Sequence, residues 1–164
     1  MRRIVFLLLI VNLVACKKDE AADPCTSGTA MPALTIGDNR ESNMLATNYW
    51  VIEHYVASDP AQFEAKKSNR GRWYKFNKDG TFQSGHWETP GCSGTWRMDY
   101  STQYPLVIID SYNDAEDFGW HIYSATPDMS EVSWVGAEGY PNYTDMVKTI
   151  NLMSMPTKKQ FGDE

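Results

Sequence analysis

Asp79-Gly80 lies between two aromatic-rich runs, Arg72–Asn77 and Thr81–Trp87. No other feature limits the fold of this chain as much. A primed turn needs backbone angles that Gly and Asp tolerate, so Asp-Gly between apolar runs marks a tight antiparallel hairpin. The rest of the chain after its N-terminal stretch repeats the pattern. Further strands are expected at Thr47–Ala57, Ser93–Tyr100, Pro105–Asp110, Phe118–Thr126, Glu131–Val135 and Asp145–Met155. A spacing of roughly 8–12 residues with turn residues between is that of a sandwich or a barrel. No helical pattern of about 10–15 residues separates the strands, which argues against parallel βαβ units. Short connections favour sequential antiparallel neighbours. Eight such strands can close on themselves and lose their exposed edges. The expected fold is all-β: an antiparallel up-and-down eight-stranded barrel, its interior filled by side chains or holding one small ligand. Two short helices are expected outside the sheet. One covers Pro60–Lys67, with Pro near the first position, where it is tolerated. The other covers Glu41–Thr47 and lids one end of the barrel.

The N-terminus speaks to the compartment. Met1-Arg2-Arg3 is basic, and Ile4–Val14 is apolar apart from Asn12. That run is too short to span a bilayer, which takes about 20 residues. Its shape is that of a signal peptide over residues 1–15. The end, Leu13-Val14-Ala15-Cys16, resembles the bacterial lipobox, which implies acyl chains on Cys16. Several chains anchor firmly, since each buried methylene contributes about 0.8 kcal/mol. The alternative is an ordinary secretory signal followed by an incidental Cys. Lys17-Lys18-Asp19-Glu20 is either a solvated charge run or, by resemblance, the surface-export signal of one group of Gram-negative lipoproteins. The expected address is the outer membrane, by a lipid anchor, with display on the cell exterior. Residues 16–46 then read as the lipidated Cys and a flexible tether, since Ala21–Asn43 has no sustained period and is rich in Pro, Gly and small polar residues. The barrel occupies 47–156 and a tail 157–164. The formal charge is −6, and removing Arg2 and Arg3 with the signal peptide makes it −8. Such an acidic chain is ill-suited to nucleic acid, whose phosphates need a basic face.

A family resemblance covers the predicted barrel. Trp50-Val51-Ile52, then Trp73-Tyr74-Lys75-Phe76-Asn77-Lys78-Asp79-Gly80-Thr81-Phe82, Gly94-Thr95-Trp96, Trp120-x-Ile122 and Val132-Ser133-Trp134 resemble the lipocalin-like domains of small bacterial lipoproteins. The Gly-x-Trp start of true lipocalins is replaced by Asn48-Tyr49-Trp50. The resemblance implies the barrel and the binding of a small molecule, and carries over no catalytic residue.

The candidate ligand-contacting residues are Trp50, His54, Tyr74, Phe82, His86, Trp96, Trp120 and Trp134. Their rings recur at strand period, so they either pack the core or line an aromatic pocket. His54 is expected on the inward face with Trp50 and Ile52, and His86 with Phe82 and Ser84. His121, opposite in register to Trp120, is expected to face out. No two His have helical metal-ligand spacing, so no metal site is expected. If Cys16 carries lipid, Cys25 and Cys92 remain, either as a disulfide pinning the tether to the Glu88–Ser93 loop or as two free thiols. The acidic loop Asp110–Asp117 reads as a Ca²⁺ site or as a solvated loop, and it lacks EF-hand spacing. There is no Gly-x-Ser-x-Gly elbow, phosphate loop or dinucleotide fingerprint, so no enzyme and no cofactor are expected. Two functions remain. One is non-enzymatic binding of a small apolar or amphipathic molecule. The other is an accessory subunit of an envelope protein complex, presenting Tyr-rich loops such as Gly139-Tyr140-Pro141-Asn142-Tyr143.

Overall fold

The computed structural model describes residues 24–163. The expectations that fall on residues 1–23, namely the signal peptide and the lipid on Cys16, lie outside the described residues.

The hairpin is built from β2 (Arg72–Phe76) and β3 (Thr81–His86), paired antiparallel with Tyr74 opposite Ser84 and Phe76 opposite Phe82. Its turn is not the primed kind. Of its residues only Gly80 has positive φ, at 85°. Asn77 N donates to the Thr81 carbonyl at 2.9 Å and Gly80 N to the Asn77 carbonyl at 3.1 Å. Asp79 acts through its side chain instead, accepting from Thr81 N at 2.9 Å and Thr81 Oγ1 at 2.6 Å. Gly80 is required twice over, because the backbone of Leu34 crosses where a Cβ would sit.

The remaining strands are β1 (Tyr49–Val56), β4 (Thr89–Asp99), β5 (Leu106–Ser111), β6 (Phe118–Ala125), β7 (Glu131–Gly136) and β8 (Met146–Leu152). Each pairs antiparallel with the next, and β1 pairs with β8, so the sheet is a closed up-and-down barrel of eight strands. The expected strands recur with ends moved by a few residues. The largest change is at β4, where the expected Glu88–Ser93 loop is strand from Thr89, and the chain reverses at Trp87-Glu88. Trp87 has a φ of 51° there. An L residue avoids such a backbone unless its surroundings hold it. Here Trp87 N donates to the Gly71 carbonyl at 3.0 Å, its carbonyl accepts from Trp73 Nε1 at 2.9 Å, and its ring meets Phe161 at 5.2 Å.

Alternation along the strands sends one set of side chains inward. Trp50, Ile52, Tyr74, Phe76, Phe82, Trp96, Val107, Ile109, Trp120, Ile122, Trp134 and Val147 form one buried cluster. A helix, α1 (Arg40–Leu45), plugs the end at which β1 begins. Its Met44 and Leu45 join that cluster, and Trp50 Nε1 donates to the Leu45 carbonyl at 3.0 Å. A second helix, α2 (Phe63–Lys67), packs beside β1 at the other, open end.

The tether expected over 16–46 is not a free linker from Cys25 onward. Cys25 is bonded to Cys92 at the open end. From there Gly28 N donates to the Tyr112 carbonyl at 2.7 Å, Thr29 N to Asp114 Oδ1 at 3.3 Å and Met31 N to Asp110 Oδ2 at 3.4 Å. Ile36 N reaches the Lys78 carbonyl at 2.9 Å, and α1 follows. The segment is a strap that runs the length of the barrel from mouth to plug. Its low periodicity reflects a chain hydrogen-bonded by its backbone rather than by a repeating apolar face. The C-terminal segment returns outside the barrel to α3 (Lys158–Phe161), whose Phe161 covers Trp87.

Candidate functional site

Six of the eight expected ligand-contacting residues belong to the core. Trp50, Tyr74, Phe82, Trp96, Trp120 and Trp134 are at most 6% exposed. Phe76 meets Trp96 at 4.8 Å between ring centroids, and Tyr74 lies 6.0 Å from Phe76. The void they leave, bounded also by Ile52, Val107, Ile109 and Thr149, is about 20 Å³. That is space for about one water molecule. The polar atoms of the buried rings are used within the fold: Trp134 Nε1 donates to Thr149 Oγ1 at 2.8 Å and Trp96 Nε1 to the Asn77 carbonyl at 2.8 Å.

His54 is placed differently from the expectation. Between Ile52 and His54 the β1–β8 register slips by one, so Glu53 is an extra residue on β1. Glu53 and His54 both point outward. The His54 side chain is 67% exposed, beside Glu53 at 3.5 Å. Tyr55 takes the inward place, edge-on to Trp120 at 6.2 Å. Sequence alternation carried the face straight through the bulge, and only the pairing with β8 shows the slip. His86 does lie on the Arg72 and Ser84 face, but at the barrel's open end, exposed, with Nε2 donating to the Arg70 carbonyl at 2.8 Å. His121 faces away from the interior and donates through Nδ1 to the Tyr104 carbonyl at 3.2 Å.

The open end is polar where the rest of the interior is apolar. Arg72 continues the inward row of Tyr74 and Phe76 to the mouth. Its guanidinium pairs with Glu116 at 2.7 Å and lies 5.9 Å from the Tyr74 ring and 5.7 Å from the Phe118 ring. Tyr55 Oη donates to Asp145 Oδ2 at 2.7 Å. Burial first, then the Asp145 carboxylate, holds the Tyr55 phenol well above its ordinary value. Burial likewise raises Tyr74, opposed by Arg72. Both phenols are therefore neutral donors at neutral pH. Around Arg72, the residues Ser68, Asn69, Ser84, His86, Thr89 and Glu116 enclose a pocket of about 280 Å³. This is close to the lower end of volumes that hold small molecules, about 300 Å³. Pro90, Gly91 and Glu116 continue from it into an open cleft beside the disulfide. Sequence reading missed Arg72 and Tyr55, and took Glu116 only as one acid of the Asp110–Asp117 loop, where the structure makes it the partner of Arg72. The one usable signal was Arg72 on the inward parity of a strand, where a charge demands a partner.

The acidic loop has a structural use. Asp110 and Asp114 accept strap amides, Asp117 Oδ1 accepts Ser111 N at 2.8 Å, and Glu116 holds Arg72. Among the described residues no three His, Cys, Asp or Glu side chains come together as a metal would require. In the Tyr-rich loop, Asn142 is buried and holds Gly119 through both backbone atoms, donating to its carbonyl at 2.7 Å and accepting from its N at 3.3 Å. Tyr143 is the loop ring left on display, 55% exposed.

No family model matches the chain, and no curated protein matches it. Among solved structures, it is similar to the crystal structure of a DUF4847 family protein from Bacteroides vulgatus, at 15% identity and a TM-score of 0.43, over 70% of this chain and 99% of that one.

Proposed function

We propose that this chain is a lipoprotein of the outer membrane, anchored through acylated Cys16 and displayed outside the cell, whose lipocalin-like barrel binds a small amphipathic molecule without transforming it. The observation that carries the binding is the mouth pocket. The interior is packed, so the ligand sits at the open end, where about 280 Å³ adjoins Arg72 and the hydroxyl of Ser84. The guanidinium offers five donors in a fork that fits a carboxylate or phosphate head. Pro90 at the pocket edge offers a small apolar surface beside it. Leu13-Val14-Ala15-Cys16 supports the anchor.

The test is titration with a fluorescent long-chain fatty acid. Wild type should bind it, and the paired change Arg72→Met with Glu116→Gln, which strands no buried charge, should weaken binding about tenfold, the equivalent of about 1.4 kcal/mol. The thermal midpoint should move little. Equal binding by wild type and the paired variant, or no binding by wild type, would sink the pocket reading.

A further inference from the structure

We propose that the mouth pocket selects a zwitterionic head group, seating its anion on the Arg72 guanidinium and its ammonium on the Glu116 carboxylate. This rests on the reading of that pocket as the binding site and names the chemistry it accepts. Two features of the mouth carry it.

The first is the balance of charge inside the pocket. Counting His as neutral, its lining side chains carry one positive charge, on Arg72, and one negative charge, on Glu116. The two are paired, Arg72 Nη2 to Glu116 Oε2 at 2.7 Å, and are only 20% and 25% exposed. A bare carboxylate arriving at Arg72 meets Glu116. It either stays and is repelled, or displaces Glu116 and leaves that charge without its partner. A bare ammonium arriving at Glu116 meets the same conflict with Arg72. A head that carries both signs avoids it. A guanidinium has five donors, enough to hold Glu116 and a second anion together. A carboxylate has room on its two oxygens for Arg72 and an ammonium. The ligand then completes a ring of alternating charges and leaves the ion pair intact.

The second is what lies on the other side of Glu116. The pocket and the cleft beside the disulfide share the wall formed by Pro90, Gly91 and Glu116. Among the described residues that line the cleft, Glu116 is the charged one. Its neighbours in the chain extend that sign. Asp117 is held above the ordinary carboxylate value, first by burial and then by the nearby charges of Asp110 and Asp114. The Tyr112 ring, 45% exposed, also lines the cleft and offers its face to a cation. The mouth is therefore positive at Arg72 and negative in the cleft, with Glu116 on the boundary. The strap holds these groups in place. Cys25–Cys92 forms part of the cleft wall, Gly28 N donates to the Tyr112 carbonyl at 2.7 Å, and Ser27 Oγ donates to Asn113 Oδ1 at 3.4 Å. A Cβ at Gly28 would run into the Asp114 side chain, so the strap lies directly on the loop that carries Glu116.

The test is calorimetric titration of the full chain with four probes of matched alkyl length. Octanoate carries an anion, octylammonium a cation, α-aminooctanoate both and octylglycerol neither. α-Aminooctanoate should bind about tenfold more tightly than each of the other three. Glu116→Gln should erase that preference, because octanoate should tighten about tenfold once the competing carboxylate is gone, and α-aminooctanoate should then bind no better than octanoate. A variant that weakens all four probes alike, or that keeps the preference, would overturn the selection by Glu116. The wild-type order decides the matter even if the variant fails to fold. Any of the other three probes equalling α-aminooctanoate on wild type would overturn the zwitterion and leave the pocket standing as a binding site. If none of the four binds while the fluorescent fatty acid does, the head group is not what is recognised and the selection fails. If the fatty acid fails too, the pocket reading falls with it.

Discussion

Inside the mouth, a few side chains set how the fold responds to pH. Tyr55 and Tyr74 are phenols whose pKa is raised from an ordinary 10.0, chiefly by burial. A raised pKa means the folded state holds the proton more tightly than the unfolded chain. The stabilisation is complete below about pH 10 and is lost as pH climbs through the folded-state value. Stability should therefore fall above pH 10, with Tyr55 alone contributing about 1.4 kcal/mol of that fall at pH 11. Tyr55→Phe should flatten that fall by about one such increment in guanidinium unfolding between pH 8 and 11. A variant curve parallel to wild type would show that Tyr55 does not titrate with unfolding. Arg72 and Glu116 act together here, because either charge left alone at the mouth would face low-dielectric rings without its partner.

At the level of elements, the strap is the part with the largest consequence. The Cys25–Cys92 bond spans a sequence separation of 67. Closing a loop of that size stabilises by about 2–4 kcal/mol in measured cases. The double change Cys25→Ala and Cys92→Ala should lower unfolding free energy by about that amount. It should also speed amide exchange at Gly28, Thr29 and Met31, whose hydrogen bonds lie just past the bond, more than at the α1 amides near the plug. Unchanged exchange at those three amides would mean that Asp110, Asp114 and the Tyr112 carbonyl hold the strap unaided. The Glu53 bulge is the other decisive device, since one extra residue in β1 exchanges His54 for Tyr55 at the barrel wall.

As a whole molecule, the barrel closes through β1 and β8, the two ends of the strand order. No run of consecutive strands encloses the Trp50, Trp96, Trp120 and Trp134 cluster without the others. Unfolding should therefore be a single transition, with far-ultraviolet dichroism and tryptophan fluorescence coinciding in guanidinium. Separated midpoints would show that a part of the sheet stands alone.

Much of this was legible from residue order. The strands follow from local alternation and turn chemistry, and these depend on near neighbours in the chain. Eight strands with short connections leave closure as the way to remove edges, and α1 was visible as a lid. The site was less legible. Tyr55 was hidden because a bulge is a property of a strand pair, and β8 lies about ninety residues away. Glu116 read as one of several loop acids until Arg72 met it. The strap was opaque because its bonds are backbone bonds, which leave no side-chain pattern. The choice between packed core and pocket for the aromatics could not be made along the chain at all, since periodicity assigns a face but not the space left when eight faces converge. The sequence by itself determined the class of fold, the strand count and the inward row of aromatics, because each depends on local backbone preference and apolar period. Only the tertiary structure decided that the interior is full, that the polar site is at the mouth and that the N-terminal segment is bound to the barrel, because each depends on distances between residues far apart in the chain.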